Sequence, residues 1–228
     1  MTNIIDNIKN IISSKKTNIC LAADVDNVSK LFDLINILGH DICILKIHYD
    51  IIYDFHKNLD DTIENLNSLK KRYNFLIWED RKFSDIGFIM EKQINNHVSR
   101  WADLISIHPI AGKESVKSCL NNNNINIGII LIGEMSSNEQ LTDKIYQDKV
   151  IQISEEVENV VGIVCQHKMT NTLLNIVPGI SLTNNKKSKD GKGQIYSLPS
   201  DKQFADILVV GRSIYQSINP IEIINKYK

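Results

Sequence analysis

Eight short apolar runs, at residues 18–23, 42–48, 75–80, 104–108, 126–132, 160–165, 174–177 and 207–210, alternate along the chain with longer stretches of helical character. That alternation is the pattern of a parallel α/β sheet with helical crossovers. Val28, Leu31, Phe32, Ile35 and Leu38 share one helical face, and such a face packs on the sheet. Stretches 59–73, 89–98, 115–120 and 144–156 read similarly, and Pro220 introduces a closing helix over 221–227. The helix between the sixth and seventh runs is short or degraded. Eight strands in 228 residues fit one closed (β/α)8 TIM barrel, an α/β fold.

No repeat of roughly 20 to 50 residues and no Pro/Gly/Ser linker splits the chain, so 1–228 reads as a single domain. Ile4, Ile5, Ile8, Ile11 and Ile12 form a helical stripe within 1–17 that predicts an N-terminal helix packed on the barrel. Asp6 and the lack of arginine distinguish this segment from a transit peptide. The low-complexity tract Asn121 to Asn124 falls where a helix-to-strand surface loop belongs.

A net charge of -1 excludes the basic excess of a nucleic-acid binder, so any anionic ligand must be gripped by local groups. Cys20, Cys43, Cys119 and Cys165 are widely spaced and form no Cys-x-x-Cys pair. They read as buried reduced thiols rather than a zinc site or disulfide framework. No apolar run approaches the roughly 20 residues that span a bilayer, and the reading is a cytoplasmic protein without membrane partners.

In such a barrel the functional site lies at the carboxyl ends of the strands. Those ends present Asp24, Lys46 with His48, Asp80 with Lys82, His108, Glu134 with Ser136, Pro178 with Gly179, and Gly211 with Arg212. The sharpest segment is 74–87, NFLIWEDRKFSDIG, with the spacing Asp-x-Lys-x-x-Asp at Asp80, Lys82 and Asp85. Period-two alternation puts Asp80 and Lys82 on one side of a strand, with Asp85 in the loop beyond. A lysine between carboxylates stays protonated and becomes a positioned proton donor. Asp80 would repel an anionic group beside it, by about 4 kcal/mol at ~4 Å with an effective dielectric of 20. A lone Asp-x-Lys pair is more often a solvated salt bridge. Convergence with Lys46, giving Lys, Asp, Lys, Asp, favours chemistry in which a carboxylate leaves. His48 and His108 lack a third histidine at ligand spacing, so no metal is expected. His40, His56, His97 and His167 read as surface or packing residues.

LAADV at 21–25, ICILKIHYDI at 42–51 and WEDRKFSDIG at 78–87 closely resemble orotidine 5′-monophosphate decarboxylases of the eukaryotic, monofunctional type. The resemblance continues through WADLISIHPIAG, GEMSS, Pro178-Gly179, GQIY at 193–196 and VVGR ending at Arg212. It implies a cofactor-free enzyme that converts orotidine monophosphate to uridine monophosphate and CO2. Lys82 is then the acid that protonates carbon-6, in a network with Lys46, Asp80 and Asp85. Asp85 reaching a neighbouring subunit's site implies a homodimer. Asp24 and Lys46 would contact ribose hydroxyls, and Ser136 the pyrimidine. Gln194, Tyr196, Arg212 and amides near Gly211 would grip the phosphate, closing the loop from Pro178 to Tyr196. The Lys186-Lys187-Ser188-Lys189 run within that loop reads as a solvated lid segment.

The chain departs from the family pattern at Phe88-Ile89, where Asn-Thr is usual and the threonine helps hold ribose across the dimer. Segment 137–146 lacks the usual glycines, and Ser213 replaces another. A stand-alone decarboxylase without a fused phosphoribosyltransferase domain is expected. The competing readings are a nucleotide-binding relative without turnover, favoured by Phe88-Ile89, and a magnesium-dependent sugar-phosphate decarboxylase or aldolase of the same superfamily. Lys46 and the Gln194/Tyr196 pair oppose the latter.

Overall fold

Helix α1 (Ile4–Lys15) leads into β1 (Ile19–Ala22), α2 (Val28–Leu38), β2 (Ile44–Ile47), α3 (Leu59–Tyr73), β3 (Leu76–Phe83), α4 (Gly87–Asn96) and β4 (Leu104–Ile107). The chain continues through α5 (Lys113–Ser118), β5 (Gly128–Ile132), α6 (Lys144–Glu156), β6 (Val160–Val164), β7 (Leu174–Val177), β8 (Ile207–Val210), α7 (Arg212–Tyr215) and α8 (Pro220–Asn225). This computed structural model describes residues 4–120, 126–182 and 193–228. The strands pair in parallel in chain order, and β8 returns to β1 to close the barrel.

All eight predicted strands are present, and α2, α3 and α6 span the predicted 28–38, 59–73 and 144–156. Their ends follow from local chemistry. Asn27 and Asp143 accept bonds from the backbone N–H groups of Lys30 and Tyr146, capping α2 and α6, while Asn74 ends α3 in the left-handed region at φ +53°. Helix α4 begins at Gly87 rather than 89, and α5 at Lys113 rather than 115. Among the described residues no helix links β6 to β7. The predicted strand 75–80 runs on to Phe83, past the apolar residues that announced it. Residues 121–124 and 186–189, read above as a surface loop and a lid segment, lie outside the described residues.

Because alternate residues of a strand face opposite ways, each buried strand serves two cores. Cys20, Ile44, Trp78, Leu104, Ile130 and Ile176 form one apolar cluster, which Ile8 and Ile11 of α1 join. Leu21, Leu45, Ile77 and Ile105 pack in the other, with Leu31, Ile35, Ile63 and Leu66 of the surrounding helices. Helix α1 thus stoppers one end of the barrel. The Lys15 ammonium fastens it there, donating to the carbonyls of Gly39 at 2.7 Å, Ile42 at 2.5 Å and Tyr73 at 2.9 Å. These carbonyls cluster around the carboxyl ends of α2 and α3, where a cation is favoured. The four cysteines are buried and free. No helix among the described residues is long and apolar enough to cross a membrane.

Candidate active site

The opposite end of the barrel is open and holds a cavity of about 200 Å³. Its floor includes Ala22, Trp78, Ile132 and Val209 from the barrel interior, and charged groups from the strand ends form its walls.

Asp80, on β3, is the centre of this arrangement. Its Oδ2 lies 2.9 Å from the Lys46 ammonium and 3.0 Å from that of Lys82. Lys46 also lies 3.5 Å from Asp24, and His48 Nε2 is 3.1 Å from Lys46 and 3.4 Å from Asp80. On its other oxygen, Asp80 accepts a short hydrogen bond from Ser106, whose hydroxyl accepts from the Trp78 indole N–H at 2.8 Å. Indole nitrogen only donates, so this chain points its protons toward the carboxylate.

Lys46 and Asp80 have side chains only 8% exposed. Burial by itself would raise the Asp80 carboxyl, but Lys46, the bond from His48 and Lys82 outweigh it and hold the group well below the usual carboxylate range. Burial likewise disfavours the charged Lys46, and Asp80 and Asp24 reverse that, raising it above an ordinary lysine. The pair is therefore ionised at neutral pH. His108, at the end of β4, is lowered by burial and then by Lys82.

Simple alternation accounts for Lys82 only in part. The β3–β4 register shifts between Glu79 and Phe83, and Lys82 has φ +57°. A side chain other than glycine is strained there by roughly 1–3 kcal/mol. This bulge turns the Lys82 ammonium back onto Asp80, where it also donates to the Asp80 carbonyl at 3.1 Å.

Across the mouth, Arg212 donates to Gln194 Oε1 at 2.5 Å and to the Tyr196 hydroxyl, which itself donates to Gln194 at 3.1 Å. Gln194 Nε2 reaches Ser136 Oγ at 3.4 Å, and Ile195 N donates to the Ser136 carbonyl at 2.7 Å. Two loops are thereby joined above the cavity, beside Pro178 and Gly211 in its wall. Gly179, at φ +76°, is required at this junction, since a Cβ there would lie 2.6 Å from the Ile195 carbonyl oxygen. Ser213 shares a 2.8 Å hydrogen bond with Tyr227 Oη.

Of the eleven residues to which the resemblance gives roles, the cavity gathers ten: Asp24, Lys46, Asp80 and Lys82, with Ser136, Pro178, Gln194, Tyr196, Gly211 and Arg212. Of the other strand-end residues His48 and Gly179 line it, while His108 and Glu134 do not. Asp85 lies apart: it is exposed, outside the cavity lining, and accepts from the Ile86 N–H at 2.7 Å. Sequence reading missed Ser106 and Glu79. A serine inside the apolar run LISI, in phase with Leu104, is the signal that marks the first. His48, Asp50 and Glu79 bring possible ligand atoms within 4.8 Å of one another. A cation there would face the Lys46 ammonium, and both Glu79 oxygens already accept backbone N–H bonds.

The family model described as Orotidine 5'-phosphate decarboxylase / HUMPS family matches residues 17–227. The chain is 36% identical to the uridine 5'-monophosphate synthase of Bos taurus over 96% of its own length but 46% of that protein, so it spans about half of that relative. It is 32% identical to the orotidine 5'-phosphate decarboxylase of Pichia kudriavzevii, covering 96% of this chain and 87% of the relative. The corresponding Candida albicans protein is 34% identical, with 90% and 80% covered. A match running almost from end to end, over a closed eight-stranded barrel with this charged mouth, means that the chain belongs to the orotidine 5'-phosphate decarboxylase / HUMPS family.

Proposed function

We propose that this chain decarboxylates orotidine 5′-monophosphate to uridine 5′-monophosphate and CO2, a step of pyrimidine biosynthesis, in the cytoplasm. The observation that carries the reading is the buried Asp80 carboxylate with the Lys46 and Lys82 ammoniums at 2.9 and 3.0 Å in the wall of the cavity. A substrate carboxylate placed beside Asp80 is repelled while the ammoniums hold Asp80 itself in place. The bond from carbon-6 to the carboxylate breaks with its electron pair left on carbon-6, CO2 departs, and carbon-6 takes a proton from Lys82 Nζ. Solvent then restores the lysine. The reaction is supported by preorganised charge and requires no cofactor.

Asp24 and Lys46 hold the ribose, Ser136 holds the pyrimidine, and Gln194, Tyr196, Arg212 and the amides at Gly211 hold the phosphate. Phosphate binding energy, realised far from the scissile bond, stabilises closure of the loops around Pro178 and raises the reaction rate. Asp85 serves a second copy of the chain in a homodimer. Ile86 and Phe88, near Asp85 in the chain, and Ile110, just past the end of the neighbouring strand β4, support this, being 57%, 61% and 70% exposed. Apolar groups so exposed fit a protein–protein surface.

The test is the loss of orotidylate absorbance with purified protein, beside Lys82→Ala. Turnover by wild type, surviving a chelator, and its essentially complete loss in a folded variant are expected. Binding of the nucleotide without turnover would instead mark a non-catalytic relative, the reading that Phe88-Ile89 favours. Turnover abolished by the chelator would mark a metal-dependent relative.

A further inference from the structure

We propose that Glu79 is a positioning residue whose carboxyl group fixes the two lysines relative to each other by tying the end of β2 to the bulge of β3. This inference rests on the decarboxylase reading and adds to it a residue that never meets the nucleotide. Glu79 is 0% exposed, and on β3 it points away from the cavity that its neighbours Trp78 and Asp80 line. Its Oε2 accepts from the Tyr49 N–H at 3.1 Å, and its Oε1 from the Arg81 N–H at 2.9 Å. Tyr49 directly follows His48 on the segment that carries Lys46, and Arg81 directly precedes Lys82.

The bulge gives this carboxyl group its task. Between Glu79 and Phe83 the pairing of β3 with β4 is interrupted, so a side chain instead of a strand takes up the Arg81 N–H. A buried N–H left unsatisfied would cost about 1–3 kcal/mol, on top of the strain at Lys82. A carboxyl group offers two oxygens, each able to accept one of the two converging N–H bonds whether or not the group is ionised. Among the described residues Glu79 has no ion pair, and burial pushes its carboxyl up to about 8. An apolar side chain is the ordinary occupant of the layer between barrel and helices; an acid there needs a local reason, and the two N–H groups supply it.

The experiment compares wild type, Glu79→Ala and Glu79→Gln in the whole chain. We expect kcat to fall about 100-fold in the alanine variant, as for an ångström-scale misplacement of catalytic groups, and less in glutamine, which keeps one acceptor. Affinity for uridine monophosphate, measured by calorimetry, falls at least about tenfold less than kcat, because the grip at Gln194, Tyr196 and Arg212 is untouched and only the Lys46 contact to ribose loosens. Amide hydrogen exchange at Tyr49 and Arg81 quickens in the variants. Wild-type kcat in folded variants, even with a lowered melting temperature, overturns the proposal, as does unchanged protection of both amides. Should the alanine variant not fold, the near-isosteric glutamine variant decides by the same two readouts. A wild-type protein without turnover sinks the decarboxylase reading alone, and amide exchange still decides whether Glu79 ties the two segments.

Discussion

Lys46 Nζ lies 2.9 Å from Asp80 Oδ2, and both side chains are almost wholly withdrawn from water. Breaking a buried ion pair by removing one partner typically destabilises by about 3–5 kcal/mol, since the other charge is left behind. Here Lys82 still neutralises Asp80 in part. We therefore expect Lys46→Met to lower unfolding free energy by about 2–4 kcal/mol, below that full range, and to abolish turnover. Urea unfolding checks the first and orotidylate absorbance the second.

Acid stability should depend on His97 rather than on this pair. Asp80 is held well below 3.8, so its contribution is complete above that value and is lost only as pH falls through the depressed folded value. His97 is 2% exposed, accepts from the Trp101 indole at 3.3 Å, and is lowered to about 4 by burial and then by His56. Between pH 6.5 and about 4 the unfolded chain takes a proton that the folded chain refuses, so stability falls as pH falls. The stability difference between wild type and His97→Gln should slope across that window and be flat above it. A flat difference throughout would contradict the assignment.

Arg212→Ala should raise the Michaelis constant for the nucleotide by about 10- to 100-fold, the worth of one or two charge-assisted hydrogen bonds. It should lower kcat as well if phosphate binding closes the loops. Arg212→Lys should not restore the wild type, because an ammonium lacks the planar fork that grips a phosphate bidentately.

Ile89→Thr should lower the Michaelis constant by about 2- to 10-fold, the value of the one hydrogen bond to ribose that the proposed dimer would add. Ile89 stands on α4, just past Asp85. An unchanged or raised constant would argue against a shared site.

Gly179→Ala should leave the barrel intact and the loop junction broken. The added methyl would overlap the Ile195 carbonyl at a φ of +76°. Circular dichroism near wild type with at least a tenfold loss of kcat/KM, equivalent to about 1.4 kcal/mol, is the expected result.

The barrel was legible because strands buried on both faces carry largely apolar runs, as β1 and β8 do without a break. The same rule hid the last residues of β3: Arg81 and Lys82 are polar, so the apolar signal stops before the strand does. The cavity walls were legible because strand ends are fixed once strands are. What stayed hidden depends on backbone conformation and on contacts distant in sequence. The left-handed turn at Lys82 has no glycine to announce it. The Trp78–Ser106–Asp80 chain joins different strands. Glu79 reads as one more charge in WEDRK until its two backbone partners are seen.

With Ile8 and Ile11 sealing the far end, the barrel is a blind vessel. Among the described residues, a nucleotide, the CO2 it would release and the water that would resupply a proton share the mouth spanned by the joined loops at Ser136 and Ile195.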